Sequence, residues 1–465
     1  MPTTSAAALL DGIRAFLAPN QICTDSDSCL VYGRDWTRQH TPAPLAVVLP
    51  TTVAQAQRLV QYANECRLAL VPSGGRTGLS GAAVAANGEL VVSFERMNHI
   101  LEFDPIDRSV TCEPGVITET LQNYAREQGL FYPIDFAARG SSHIGGNIAT
   151  NAGGIKVIRY GLTRDWVSGL KVITGKGELL ELNKGLIKNA SGYDLRHLFI
   201  GSEGTLGLIV EATLRLTSPP GPLSVMVLGV PELDAVMAIF NAFRQHLTLT
   251  AFEFFSAKAL RHVLNKGLQR PFETATPYYV LVEFEHISAA TVDTALAVFE
   301  QCSEQGWLAD GVISQSETQA QELWALRENI TESIAQYQPY KNDIAVRISR
   351  VPTFLRAIDD LLAREYPDFE VIWFGHIGDG NLHISVLKPA MLDPADFLAR
   401  CRQVNEQLFR TIRAHGGSIS AEHGVGLIKQ PYLHFSRDEA EIAYLRAIKK
   451  VFDPNGILNP GKIFA

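Results

Sequence analysis

The chain has 465 residues, more than one hydrophobic core usually serves, so two or three domains are expected. Hydrophobic residues make up 46%, charged residues 19%, and the formal net charge is −8. That balance excludes a nucleic-acid binder, which needs concentrated Lys and Arg, and no apolar run approaches the roughly 20 residues of a membrane-spanning helix.

The opening MPTTSAAALLDGIRAFL lacks the basic start of a signal peptide. It reads as an amphipathic helix with Leu9, Leu10, Ile13 and Leu17 on one face. Strand-like runs follow at 45–50, 68–72, 89–94, 109–115, 169–175 and 212–216, with a helical pattern across 53–67. Strands separated by helical segments imply α/β architecture. Ser218-Pro219-Pro220-Gly221-Pro222 then breaks the pattern and marks a domain boundary. Beyond it lie a strand at 223–230, a helix ending near Arg244, a strand at 278–285, another helix, and a long helix from about 316 to 337. That order predicts an α/β sandwich. The last fourteen residues, FDPNGILNPGKIFA, read as an ordered closing segment, since Ile457, Leu458, Ile463 and Phe464 need burial. The six cysteines form no CxxC pair, which fits reduced thiols in a cytoplasmic protein.

Three glycine-rich stretches fall between residues 73 and 209. The first, SGGRTGLSG (73–81), follows a strand and lets consecutive backbone N–H groups face one ligand, as in an anion nest. It fits neither GxGxxG nor the P-loop pattern. HIGGNIATNAGG (143–154) and GSEGTLGLI (201–209) complete the set. A large cofactor with a pyrophosphate is the simplest reason for three such loops.

A different chemistry is written into VIWFGHIGDGNLHISVL (371–387). Two β-rich runs flank Asp379-Gly380, which predicts a hairpin with a type I′ turn. That turn would set His376 directly opposite His383, close enough for both rings to share one metal ion. SAEHGVG (420–426) offers a third ligand: Glu422 and His423 are adjacent, so their side chains diverge, and one can bind metal while the other faces the reacting centre. Two His and one Glu with an open position make a catalytic metal set, not a structural one. In the predicted helix, Leu323, Leu326, Ile330 and Ile334 form an apolar stripe, with Arg327 and Thr331 side by side along its edge.

The glycine loops resemble those of the FAD-binding domain of the vanillyl-alcohol oxidase and p-cresol methylhydroxylase (PCMH) flavoprotein family, over roughly residues 40–216 and the closing ILNPGKIF. The fold this implies is α+β: a two-part PCMH-type FAD-binding domain (1–217), an α/β sandwich substrate or cap domain (218–430), and a C-terminal segment returning to the flavin (431–465). The first loop then maps to the pyrophosphate through Ser73, Gly74, Gly75, Arg76, Thr77 and Gly78. The second runs under the ribityl chain and flavin ring through Ser142, Gly145, Gly146, Asn147, Thr150 and Ala152. Glu203, Gly204 and Ile209 resemble the segment that contacts adenine and pyrophosphate, and Asn459 a residue that comes back to the ring. Residues 72–82 contain no His and residues 131–154 no Cys, so non-covalent FAD is expected.

GHxGDGNxH and AEHGxG together resemble the D-lactate, glycolate and D-2-hydroxyglutarate dehydrogenase branch of that family. By this resemblance His376, His383 and Glu422 are ligands of a divalent metal, Zn²⁺ by preference, and His423 is the general base. Arg327, Thr331 and Lys341 match a trio that grips a distal carboxylate, and Ser385 stands where some relatives have a substrate-contacting Asn. The expected activity is oxidation of D-2-hydroxyglutarate, with D-malate as a second candidate. A D-lactate or glycolate enzyme, or a silent FAD-binding subunit of an electron-transfer complex, remain the alternatives. Electron-transfer flavoprotein or a quinone pool is the implied acceptor, and a homodimer the remaining partner expectation.

Overall fold

The computed structural model describes residues 5–37 and 39–464, and the chain divides into two compact units. One comprises residues 1–153, 162–219 and 422–465, the other 154–161 and 220–421. The first boundary falls two residues beyond the expected position. The chain returns to the first unit at Glu422, earlier than the expected 431, because the segment after it is already bonded into that unit: Val425 and Gly426 donate their N–H groups to Glu203. Residues 154–161 belong to the second unit, where Lys156 pairs with Glu283 and Arg159 with Glu285. No composition shift marks that excursion.

Two sheets build the first unit. In the smaller one, Ala46–Val48, Leu90–Ser93 and Leu70–Ser73 run parallel, with Ile22–Cys23 added antiparallel at the edge. The helix Val53–Cys66 begins at Thr52, whose side chain accepts from Gln55 N, and buries Ala56, Leu59, Val60 and Ala63. That spacing is one helical face, and it packs with Leu70, Leu90 and Val92 of the strands. The second sheet is antiparallel throughout, in the order Ile100–Asp104, Ser109–Cys112, Gly207–Arg215, Val167–Thr174, Leu179–Leu182. The expected α/β alternation therefore holds only for the first sheet. The tail closes the unit: Leu458 bridges in parallel to Leu70 and is fully buried. The N-terminal helix Ala6–Arg14 also forms as expected, with Ile13 in the same core.

The second unit is one seven-stranded antiparallel sheet. Its order is Asp310–Ile313, Leu223–Val230, Tyr278–Glu285, Leu249–Ser256, Val371–Gly375, Asn381–Val386, Tyr340–Ala345. Helices Glu317–Glu328 and Ile330–Ala335 pack Leu323, Leu326, Ile330 and Ile334 onto Phe255, Ile372 and Phe374. The expected single helix across 316–337 is thus two. Asn329, with ψ 1°, ends the first and starts the second. No helix among the described residues is long and apolar enough to cross a membrane.

Candidate active site

In the first unit the glycine loops line one cleft. Ser73, Gly74, Gly75, Arg76, Thr77 and Gly78 line it together with Gly145, Gly146, Asn147 and Thr150, with Glu203, Gly204, Ile209 and Asn459, and with His143 among others. A Cβ on Gly75 would meet the Ser141 carbonyl at 2.1 Å, so the first two loops approach backbone to backbone. An added Cβ at Gly78 or Gly146 meets nothing within 4 Å, so these positions open onto the cleft. Ser142 and Ala152, expected at the cofactor, lie outside the lining. The Ser142 hydroxyl is bonded to Thr118 Oγ1 at 2.7 Å, and the Ala152 carbonyl accepts from Thr163.

Asn459 is fixed by three bonds: its N–H to Leu70 O at 2.7 Å, and its side-chain amide to Glu203 O at 2.7 Å and Ala82 O at 2.9 Å. Its Oδ1 is buried without a hydrogen-bond partner among the described residues, as are Ser73 Oγ and His143 Nδ1. Three unanswered polar atoms around one glycine-walled cleft are the signature of a bound polar ligand. His143 is almost fully buried; burial first, then nearby Arg76, push its pKa down to about 4, so it stays neutral. Burial raises the Glu203 carboxyl, which is held by Val425 N at 2.7 Å and Gly426 N at 2.8 Å. Glu203 therefore anchors the segment that follows His423. Glu422 and His423 are half-buried in that segment.

In the second unit the hairpin differs from expectation. Phe374, not His376, pairs with His383, because the connection is longer than two residues. Ile377–Asp379 form a tight helical turn closed by Gly380 at φ 87°, and Asn381 N donates to His376 O at 3.2 Å. A type I′ turn needs positive φ at both central residues, and Asp379 is not among those with positive φ. The two imidazoles still meet, with ring centroids 5.3 Å apart and planes at 85°.

Each imidazole is backed by a buried carboxylate. His376 Nδ1 lies 2.8 Å from Glu253 Oε1, and His383 Nδ1 3.5 Å from Asp343, which also accepts from Asn381. Carboxylate contacts at Nδ1 leave Nε2 as the coordinating nitrogen, the usual preparation of a histidine for metal. Glu253 Oε2 is ion-paired to Arg327 Nη2 at 2.9 Å. Burial would raise the Glu253 carboxyl, but His376 and Arg327 outweigh it and hold it below the ordinary glutamate value.

Arg327 is buried with its guanidinium 4.9 Å over the Phe374 ring, whereas Thr331 is exposed on the separate helix beyond Asn329. The expected side-by-side edge is broken there, and Arg327 is already paired rather than an unanswered cation. Lys341 is exposed and stands directly opposite Ser385, which is buried with an unpartnered hydroxyl. Glu253 and Asp343 escaped sequence reading. The available signal was a lone acid inside an apolar strand, LTAFEFFS, and one at alternate spacing from Lys341 in KND.

Comparison with known proteins agrees with this geometry. Residues 220–463 match the family of FAD linked oxidases, C-terminal domain, and residues 44–183 an FAD binding domain. A protein of Stutzerimonas stutzeri (strain A1501) named D-2-hydroxyglutarate dehydrogenase is 59% identical over 98% of this chain and 99% of its own length. A like-named protein of Xanthomonas citri pv. viticola is 61% identical over 93% of this chain and 92% of its own. A 4-ethylphenol oxidase from Gulosibacter chungangensis superposes with a TM-score of 0.77 at 16% identity, covering 98% of this chain and 97% of that one. p-Cresol methylhydroxylase gives 0.76 at 16%, covering 99% and 98%. The chain therefore belongs to the FAD-linked oxidase family, among the D-2-hydroxyglutarate dehydrogenases. It is an FAD-dependent dehydrogenase, and the glycine cleft with its unanswered polar atoms fits that cofactor.

Proposed function

We propose that the chain oxidises D-2-hydroxyglutarate to 2-oxoglutarate, with FAD held non-covalently and a divalent metal, Zn²⁺ by preference, held by His376, His383 and Glu422. The observation that carries the reading is the single sheet face on which metal-type histidines, a buried arginine and the Lys341–Ser385 pair stand together. Glu422 is proposed as the third ligand on the AEHGVG motif alone.

FAD, when bound, would supply the acceptor for the C2 hydride, and a metal held by the His376 and His383 set would supply positive charge at the 2-hydroxyl. His423 takes the hydroxyl proton, so hydride and proton leave C2 and O2 by separate routes. Arg327 and Lys341 bind the distal carboxylate, with Thr331 at the rim and Ser385 contributing its unpartnered hydroxyl near C1 or C2. Electron-transfer flavoprotein or a quinone pool would be the final acceptor of the electrons.

Anaerobic addition of substrate to the yellow protein tests this. D-2-hydroxyglutarate is expected to bleach the flavin absorbance fastest, D-malate more slowly, and D-lactate or glycolate least. Faster bleaching by D-lactate would transfer the reading to a monocarboxylate enzyme, and no bleaching by any acid to a silent subunit.

A further inference from the structure

The geometry points to Glu253 as a positioning residue that ties the metal-binding end of the substrate site to the carboxylate-binding end. This rests on the function proposed above and assigns a role within it. Glu253 stands in mid-strand, Leu249–Ser256, where every residue is buried, and is itself 1% exposed. A lone carboxylate there is costly unless both oxygens are answered. They face two different functional groups: Oε1 is hydrogen-bonded to His376 Nδ1 at 2.8 Å, and Oε2, with no hydrogen bond among the described residues, is ion-paired to Arg327 Nη2 at 2.9 Å.

Each contact has a consequence at its own end. With its proton held at Nδ1, His376 presents Nε2 to a metal in one fixed orientation. Arg327, held by one amino group and stacked over Phe374, loses most of its rotamer freedom before any ligand arrives. Phe374 is in turn the cross-strand partner of His383, so the arginine and both imidazoles share one scaffold. The single negative charge also offsets Arg327. Lys341, which has no ion pair among the described residues, is then the net positive charge that meets a second carboxylate.

Glutamine cannot replace this residue although it has the same size. The imidazole N–H needs an acceptor and the buried guanidinium an anion, whereas an amide offers one acceptor, one donor and no charge. If the amide NH₂ faces His376, the ring must shift its proton to Nε2 and lose its coordinating lone pair. If it faces Arg327, two donors collide. Aspartate keeps both acceptors but is one methylene short, so it reaches one partner.

Glu253→Gln is therefore compared with wild type in zinc affinity, by competition with a chromogenic chelator, and in KM for D-2-hydroxyglutarate against D-lactate at saturating zinc. Thermal midpoint and FAD content report on folding. The expected result is a 10–100-fold loss of zinc affinity together with a KM increase for the dicarboxylate that saturating zinc does not restore. D-Lactate should show the smaller KM change. Glu253→Asp should fall between and covers the case in which the glutamine variant does not fold. Loss of zinc affinity alone, with KM restored by zinc, overturns the tie, as does unchanged behaviour of both variants. If the wild-type protein binds no zinc or does not oxidise D-2-hydroxyglutarate, the proposed function itself fails and this role falls with it.

Discussion

His143 lines the FAD cleft as a neutral imidazole, and that neutrality has a measurable consequence for stability. Its pKa is pushed down to about 4, chiefly by burial, from an unfolded value near 6.5. Between these values the unfolded chain binds the proton that the folded chain refuses, so stability rises with pH across that window and is lost as pH falls through it. The difference amounts to about 3 kcal/mol when fully developed below the folded value. His143→Asn should remove this part of the acid dependence. Urea unfolding of the FAD-free protein at pH 5 and pH 7 checks it: wild type should lose more stability than the variant between the two. Identical losses would show that the imidazole protonates freely in the fold. Arg327 makes the complementary point. The structure meets its cation with the Glu253 carboxylate, so the proposed dicarboxylate preference would rest on the geometry of a held pair and on Lys341, not on a bare charge.

At the scale of elements, the connection between the two histidines is where local conformation decides function. Gly380 has φ 87°, and a Cβ there would lie 2.1 Å from the Val346 carbonyl. Gly380→Ala must shift either the turn or the neighbouring strand end, at a cost of about 1–3 kcal/mol. The rings of His376 and His383, placed by that turn, should separate. We expect lowered unfolding stability and a substoichiometric zinc content, while FAD, bound by the other unit, is retained. A variant with full zinc and unchanged stability would show that the turn relaxes without moving the rings. The same turn shows what sequence could reveal. GHIGDGNLH singled out two histidines whose rings do meet, because two histidines flanking a Gly-containing turn must return toward each other in any hairpin. It misplaced the register by two residues, since Asp-Gly is also compatible with the tighter helical turn observed here. Strands rich in β-branched residues, such as 223–230 and 278–285, were legible to the residue. LTAFEFFS was not, because an apolar run buried on both faces shows no alternation. Glu253 within it has a partner 123 residues away, a distance no local pattern spans.

For the whole chain, the order of segments is itself a constraint. The first unit is built from residues 1–153 and 162–219 and completed by 422–465, after the main span of the second unit, and Asn459 of that closing segment lines the cleft. That segment is heavily tied down. Asp453 accepts from Ile457 N at 3.0 Å and Leu458 N at 2.8 Å, and Lys449 bonds Asp453, Leu458 O and Thr205 O, each at 2.8 Å. Asn459 then reaches the cleft itself. Deleting residues 457–465 removes two buried apolar side chains, each worth about 1.5–3 kcal/mol, and also the bridge to Leu70 and the Asn459 bonds to Glu203 and Ala82. The truncated protein should elute from gel filtration with little flavin, read as the ratio of absorbance near 450 nm to that at 280 nm. Asn459→Ala, which spares the apolar burial, should weaken FAD retention less than the deletion does. Its own main-chain bond to Leu70 O survives, so the strand-like closure persists while the side-chain link across Glu203 is lost. Full flavin content in the truncated protein would mean that the loops at 73–78 and 145–150 hold the cofactor unaided, and that the returning tail serves stability alone.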